Sequence, residues 1–268
     1  MDHLKSLRQL TRNPCLSLTT RGNAAIETVL KILPSPNSIL IPEEGGWLTY
    51  HSLSAKLGLA FEGVQCHDAL IDLADLETKL SRKKYVAFLY HSLGGYCAAE
   101  PIQEIYTLCQ KYNCLVIMDV AGSIGTSLCD GRYADIIVGS FGKWKPINMG
   151  TGGFISCKEK SIFDKVISHL PPFPHPEKLP LLLQKINGLP QRLLFLQKRC
   201  QKIIKELTFP ILHPQDQGLV AIVPFSTEQE KEIILAYCQK ENLEWTVCPR
   251  YIRVNREAIC IEVKRLTE

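Results

Sequence analysis

Along the front part of the chain, apolar residues fall into short continuous runs, separated by stretches in which they recur at helical spacing. Residues 38–42, 69–73, 85–90, 114–118, 135–140 and 153–156 predict strands, and residues 20–33, 48–57, 75–80 and 100–112 predict helices. The first of these helices begins at a glycine, sets Ala24, Ala25, Val29, Leu30 and Leu33 at helical intervals, and runs into the turn sequence Pro34-Ser35-Pro36-Asn37. Strands that are apolar from end to end bury both faces. Their alternation with amphipathic helices predicts an α/β fold, a mostly parallel sheet sandwiched by helices. Ligands of such sheets sit beyond the carboxyl ends of the strands, where Asp119 and Ser140 fall.

The texture changes at Pro171. The stretch PPFPHPEKLP predicts a linker or a loop close to the site, followed by a long helix over 189–207. Beyond it the pattern predicts strands over 218–225, 245–247, 251–254 and 258–263, with a helix over 227–241. The expected organisation is a large domain over residues 1–170, then over residues 171–268 a linker, a long helix and a smaller C-terminal α/β lobe.

With 268 residues, 46% of them hydrophobic, the chain can bury one substantial core and a smaller appended one. Its 31 basic and 27 acidic residues are interspersed, without the like-charge block of a nucleic-acid arm, so no nucleic-acid partner is expected. Eleven cysteines, odd in number and never spaced C-x-x-C, fit a reducing compartment and act as small buried hydrophobes. The start MDHLKSLRQL has no signal-peptide core and no run reaches membrane length, so a cytoplasmic protein without a membrane partner is expected.

Candidate chemistry concentrates in residues 134–154, ADIIVGSFGKWKPINMGTGGF. A lysine near a desolvated strand end has its pKa lowered, which supplies a neutral amine able to attack a carbonyl. Upstream, Asp119 closes the strand CLVIM, and a carboxylate there is costly unless it meets a cation. In TTRGNAAIETVL the residues Gly22, Asn23 and Ala24 open a helix, whose free N–H groups and positive dipole end suit a phosphate. Trp47 follows Gly45-Gly46 and could lay its ring against a flat ligand. No G-x-G-x-x-G follows a strand, which disfavours a nicotinamide protein.

In this order the motifs resemble the DegT/DnrJ/EryC1/StrS sugar aminotransferase family, of the aspartate-aminotransferase fold (fold type I of the pyridoxal-phosphate enzymes). The pattern S-F-x-x-x-K followed by G-x-G-G is met by Ser140, Phe141, Lys145, Gly150, Gly152 and Gly153, a register that selects Lys145 over Lys143. The family's D-x-A-x-x-x-G turn matches Asp119, Ala121 and Gly125, and its strand-end histidine and glycine look like His91 and Gly94. Where the family carries glutamine or histidine three residues after the aspartate, this chain has Gly122.

The resemblance implies pyridoxal 5′-phosphate as cofactor, bound as an imine to Lys145, with Asp119 on the ring nitrogen and Trp47 on the ring face. It assigns Gly22, Asn23, Ala24 and Ser140 to the phosphate, and includes His91 and Ala121 in the cofactor site. It implies a transaminase acting on a keto-sugar, nucleotide-linked or not, with an amino acid donor, assembled as a homodimer. Arg250 and Arg253 are candidates for holding the donor's carboxylate. Two alternatives stand beside it: another reaction on the same lysine, such as a lyase or desulfurase, and a shortened non-catalytic binding or regulatory protein.

Overall fold

The computed structural model describes residues 2–34 and 38–267. Strands β1 (Cys15–Thr19), β2 (Ser38–Pro42), β3 (Ala60–Val64), β4 (Ala87–His91), β5 (Leu115–Asp119), β6 (Ile136–Ser140) and β7 (Gly153–Cys157) form a seven-stranded sheet in the order β1-β7-β6-β5-β4-β2-β3. Only β7 opposes its neighbours, pairing antiparallel with β1 and β6, while the other pairings are parallel. The sheet is therefore mostly parallel, as the continuous apolar runs imply.

Both faces are covered, because successive side chains point to opposite sides. Ile39, Ile41, Leu89, Ile117, Ile136 and Val138 pack with helix α2 (Gly22–Lys31). The alternate residues Leu40, Phe88, Tyr90, Val116, Met118 and Ile137 join the opposite core, which continues into the C-terminal lobe. Helices α1 (His3–Thr11), α3 (Thr49–Lys56), α4 (Leu73–Arg82), α5 (Ile102–Lys111) and α6 (Lys160–Ile167) complete the layers. Helix α4 starts where the Asp72 carboxylate accepts from the Ala74 and Asp75 N–H groups, and its buried residues are Leu76 and Leu80.

After the proline-rich segment come α7 (Leu179–Asn187) and α8 (Leu189–Glu206), then a three-stranded antiparallel sheet of β8 (Ala221–Pro224), β9 (Trp245–Cys248) and β10 (Ala258–Ile261), with β10 central. Helix α9 (Glu228–Lys240) opens with a capping box between Thr227 and Glu230.

Several expectations are corrected. The strand expected over 69–73 shrinks to Leu70–Ile71, paired with Cys66–His67 in a small hairpin, while the sheet-edge strand β3 comes from AFEGV, whose exposed and polar residues hide it. Residues 251–254 are not a strand. They close a turn in which Arg250 N–H donates to Val254 O and Arg253 N–H to Arg250 O, turning the Arg253 side chain inward. Helices α1, α6 and α7 and strand β1 also escaped the sequence pattern. Ser35-Pro36-Asn37 of the expected turn lie outside the described residues.

Candidate active site

The parallel strands deliver three side chains to one end of the sheet. His91 ends β4, Asp119 ends β5 and Ser140 ends β6, with His91 registered beside Asp119. Helix α2 aims its N-terminus at the same place. Its first residue must be glycine, because a Cβ on Gly22 would sit 2.7 Å from Ser140 Cβ. Arg21, at the N-cap, makes no side-chain cap, so the first-turn N–H groups face the cavity beside Ser140. That is an anion seat.

The loop from β6 to β7 carries the lysine. Phe141 anchors it, with its N–H donating to Gly152 O at 2.9 Å and its ring stacked on Phe154 at 5.5 Å. Trp144 has φ +65° and packs under the Arg265 guanidinium at 4.3 Å. Lys143 stays exposed and Lys145 turns inward to line the cavity. Its Nζ lies 5.0 Å from the Trp47 ring and 4.8 Å from the Tyr96 ring, and donates to the Tyr96 hydroxyl. Burial pulls its pKa down to about 8, against the opposing charge of Asp119.

Asp119 is 4% exposed. One carboxylate oxygen accepts from the Tyr50 hydroxyl and the other from the Ala121 N–H, both at 2.9 Å. Among the described residues no cation lies within ion-pair distance of it. A buried carboxylate held this way suits a positively charged ring N–H in the cavity. Burial, only partly opposed by Asp119, lowers the His91 pKa to about 4 and keeps the ring neutral.

The cavity, ≈ 540 Å³, is lined among others by Gly22, Asn23, Trp47, Asp119, Ala121, Ser140 and Lys145. An amine, a buried acid, an indole and an anion seat around one space fit pyridoxal 5′-phosphate. Of the residues named from sequence, Ala24 and His91 do not line it. Ala24 is the third residue of α2, and His91 lies behind the wall, its ring 4.6 Å from that of Tyr96. The proline-rich segment reaches the rim: Thr19 donates to Pro171 O at 2.8 Å and Pro174 lines the cavity.

Neither of the candidate arginines, Arg250 and Arg253, lines this space. Arg253 is 2% exposed and gives two 2.8 Å hydrogen bonds to Glu262, while Arg250 is exposed elsewhere. Glu262 also pairs with Lys264 at 2.8 Å. Burial would raise its pKa, yet Arg253 and Lys264 hold it down to about 2. Three residues escaped the sequence reading: Tyr50, Tyr96 and Arg21, which lines the cavity. Tyr50 sits three positions after Trp47, the one sequence cue available. Tyr96, at the end of YHSLGGY, offered none.

The layered, mostly parallel sheet with its site at the strand ends is the fold of the type I pyridoxal-phosphate enzymes. Superposition agrees: an aminotransferase of Helicobacter pylori, PseC, involved in pseudoaminic acid biosynthesis, matches with TM-score 0.79 over 97% of this chain and 84% of that one, at 15% identity. A ureidoglycine–glyoxylate aminotransferase of Bacillus subtilis matches with TM-score 0.71, 15% identity, over 97% and 77%. Residues 48–170 match the model of the DegT/DnrJ/EryC1/StrS aminotransferase family, and residues 194–268 the MJ1341 family C-terminal domain. Among curated proteins, a dTDP-4-amino-4,6-dideoxy-D-glucose transaminase of Shigella dysenteriae is 28% identical over 56% of this chain and 41% of its own length. A GDP-perosamine synthase of Escherichia coli O157:H7 is 29% identical over 36% and 27%. Over residues 48–170 the chain is thus similar to the DegT/DnrJ/EryC1/StrS aminotransferase family, and it spans less than half the length of these curated relatives.

Proposed function

We propose that this chain binds pyridoxal 5′-phosphate at Lys145 and transfers an amino group between an amino acid and a keto-sugar, nucleotide-linked in the form the two curated relatives suggest. The observation that carries the reading is that the Lys145 amine and the Asp119 carboxylate line one cavity whose other wall is the N-terminus of α2 with Ser140.

When bound, the cofactor supplies the electron sink for carbanion chemistry. The first turn of α2 and Ser140 would hold its phosphate, and Trp47 would pack against its ring. Asp119, fixed by Tyr50 and Ala121, keeps a proton on the ring nitrogen. Lys145 Nζ, which burial makes an available base near pH 8, takes the proton from the substrate carbon that bears the nitrogen. A second copy of the chain is part of this reading, since in the resembling family such sites are completed across a homodimer.

Absorbance of the purified protein with pyridoxal phosphate tests the lysine. Wild type should show a visible band that borohydride removes, and Lys145→Ala should not. Glutamate should then convert the band to the pyridoxamine form. A second reading, a scaffold that keeps the cofactor without turnover, is favoured by the capture of Arg253 by Glu262 and predicts a reducible band that glutamate leaves unchanged.

A further inference from the structure

Tyr96 plays no part in the reading above, yet three chain segments place it. Its backbone is left-handed, φ +68°, directly after Gly95 at φ +59°. The reversal is held by Tyr96 N–H donating to Leu93 O at 2.8 Å and Gly95 N–H to Gly45 O at 3.0 Å, while Tyr96 O accepts from Leu219 N–H of the C-terminal part at 2.8 Å. A non-glycine residue in this region is kept only where its surroundings impose it, and such residues gather at functional sites. The ring stands against Gly122, where an added Cβ would meet two of its carbons at 2.8 Å and His91 Cε1 at 2.9 Å. The hydroxyl meets Lys145 Nζ.

We propose that Tyr96 belongs to the active site, where its hydroxyl holds the Lys145 amine, and that position 122 is glycine because the Tyr96 ring occupies the space a side chain there would need. This rests on reading Lys145 as the reactive amine. Around the pair stand His91 from β4, Asp119 from β5, and Arg253, Glu262 and Lys264 from the C-terminal lobe, the last with Nζ 5.1 Å and Arg253 with its guanidinium 4.9 Å from the Tyr96 ring. Burial raises the phenol to about 12, so it remains neutral while it accepts from the ammonium. Replacing it with phenylalanine keeps the ring, and with it every one of these charges, and removes only the acceptor. Tyr96 is thus a positioning residue that sets how readily Lys145 sheds its proton.

The test uses cofactor-free protein, so it does not depend on turnover. Lys145 is modified with formaldehyde and cyanoborohydride across a pH series and followed by peptide mass spectrometry. Tyr96→Phe should move the midpoint of modification down by about one pH unit, the loss expected when a charged group surrenders one hydrogen bond. Gly122→Ala should shift the midpoint in the same direction in wild type and leave it unmoved in a Tyr96→Ala background. An unchanged midpoint in Tyr96→Phe overturns the proposal. If that variant does not fold by circular dichroism, an equal effect of Gly122→Ala in both backgrounds overturns it instead. Failure of the reducible band with pyridoxal phosphate would sink the function reading alone, since the amine's pH profile is measured without cofactor.

Discussion

The indole N–H of Trp47 donates to Asn23 Oδ1 at 2.7 Å, tying the loop before α3 to the first turn of α2. The residue expected on the ring face and the residue expected at the phosphate are therefore one unit. Trp47→Phe keeps an aromatic face and removes the tie. Cofactor affinity should fall about three- to tenfold, the worth of one ordinary hydrogen bond. Titration of the cofactor-free protein by absorbance measures it, and equal affinities would show that the tie does not order the phosphate seat.

Gly22→Ala should weaken cofactor binding at least tenfold, because its Cβ would meet Ser140 Cβ at 2.7 Å and the strand end must shift. Ser140→Gly should itself bind less well, but adding Gly22→Ala to it should cost little more. The same titration, run on the four proteins of the cycle, reads the coupling, and strictly additive losses would remove steric contact as the cause.

Lys145 is expected to destabilise the protein that carries it. Its folded pKa is near 8 while the unfolded lysine titrates near 10.5, so between those values the unfolded chain binds more protons and stability rises with pH. Below pH 8 the burial cost is felt in full. Lys145→Met should raise the melting temperature of the cofactor-free protein at pH 7 by ~2–4 °C for each kcal/mol released, and the gain should shrink as pH climbs toward 10. Scanning calorimetry at several pH values decides the matter, a constant difference counting against it.

Arg253 should matter for stability rather than for donor affinity. Arg253→Met leaves Glu262 buried without its two-pronged partner, with Lys264 at 2.8 Å and Arg265 at 3.7 Å as remaining cations, and should cost about 3 kcal/mol in denaturant unfolding. Glu262, held near 2 in the fold, contributes stability that is complete above its unfolded value of about 4.5 and lost as pH falls toward 2. Glu262→Gln should therefore flatten the acid limb of the stability curve. A raised KM for glutamate with unchanged unfolding in Arg253→Met would restore the carboxylate-clamp reading.

Much of the seven-stranded sheet and its helices was legible because parallel strands buried on both faces leave uninterrupted apolar runs, and five of the seven sheet strands and helices α2 to α5 compete little with other patterns for those residues. For β2 the match is complete, Ser38–Pro42 in both. The C-terminal lobe was less legible, since Tyr251–Val254 looks apolar enough for a strand, yet Arg253 must reach Glu262 and bends the chain.

The sequence by itself determined that Lys145, Asp119 and the start of α2 lie together at the carboxyl end of the sheet, because strand ends, glycines and a motif register are local properties. Only the tertiary structure decided that Tyr50 holds Asp119, that Tyr96 meets Lys145, and that Arg253 belongs to Glu262. The two tyrosine contacts join residues 69 and 49 positions apart, and the third depends on a turn that folds Arg253 back onto the end of β10, so no pattern of neighbouring residues records them.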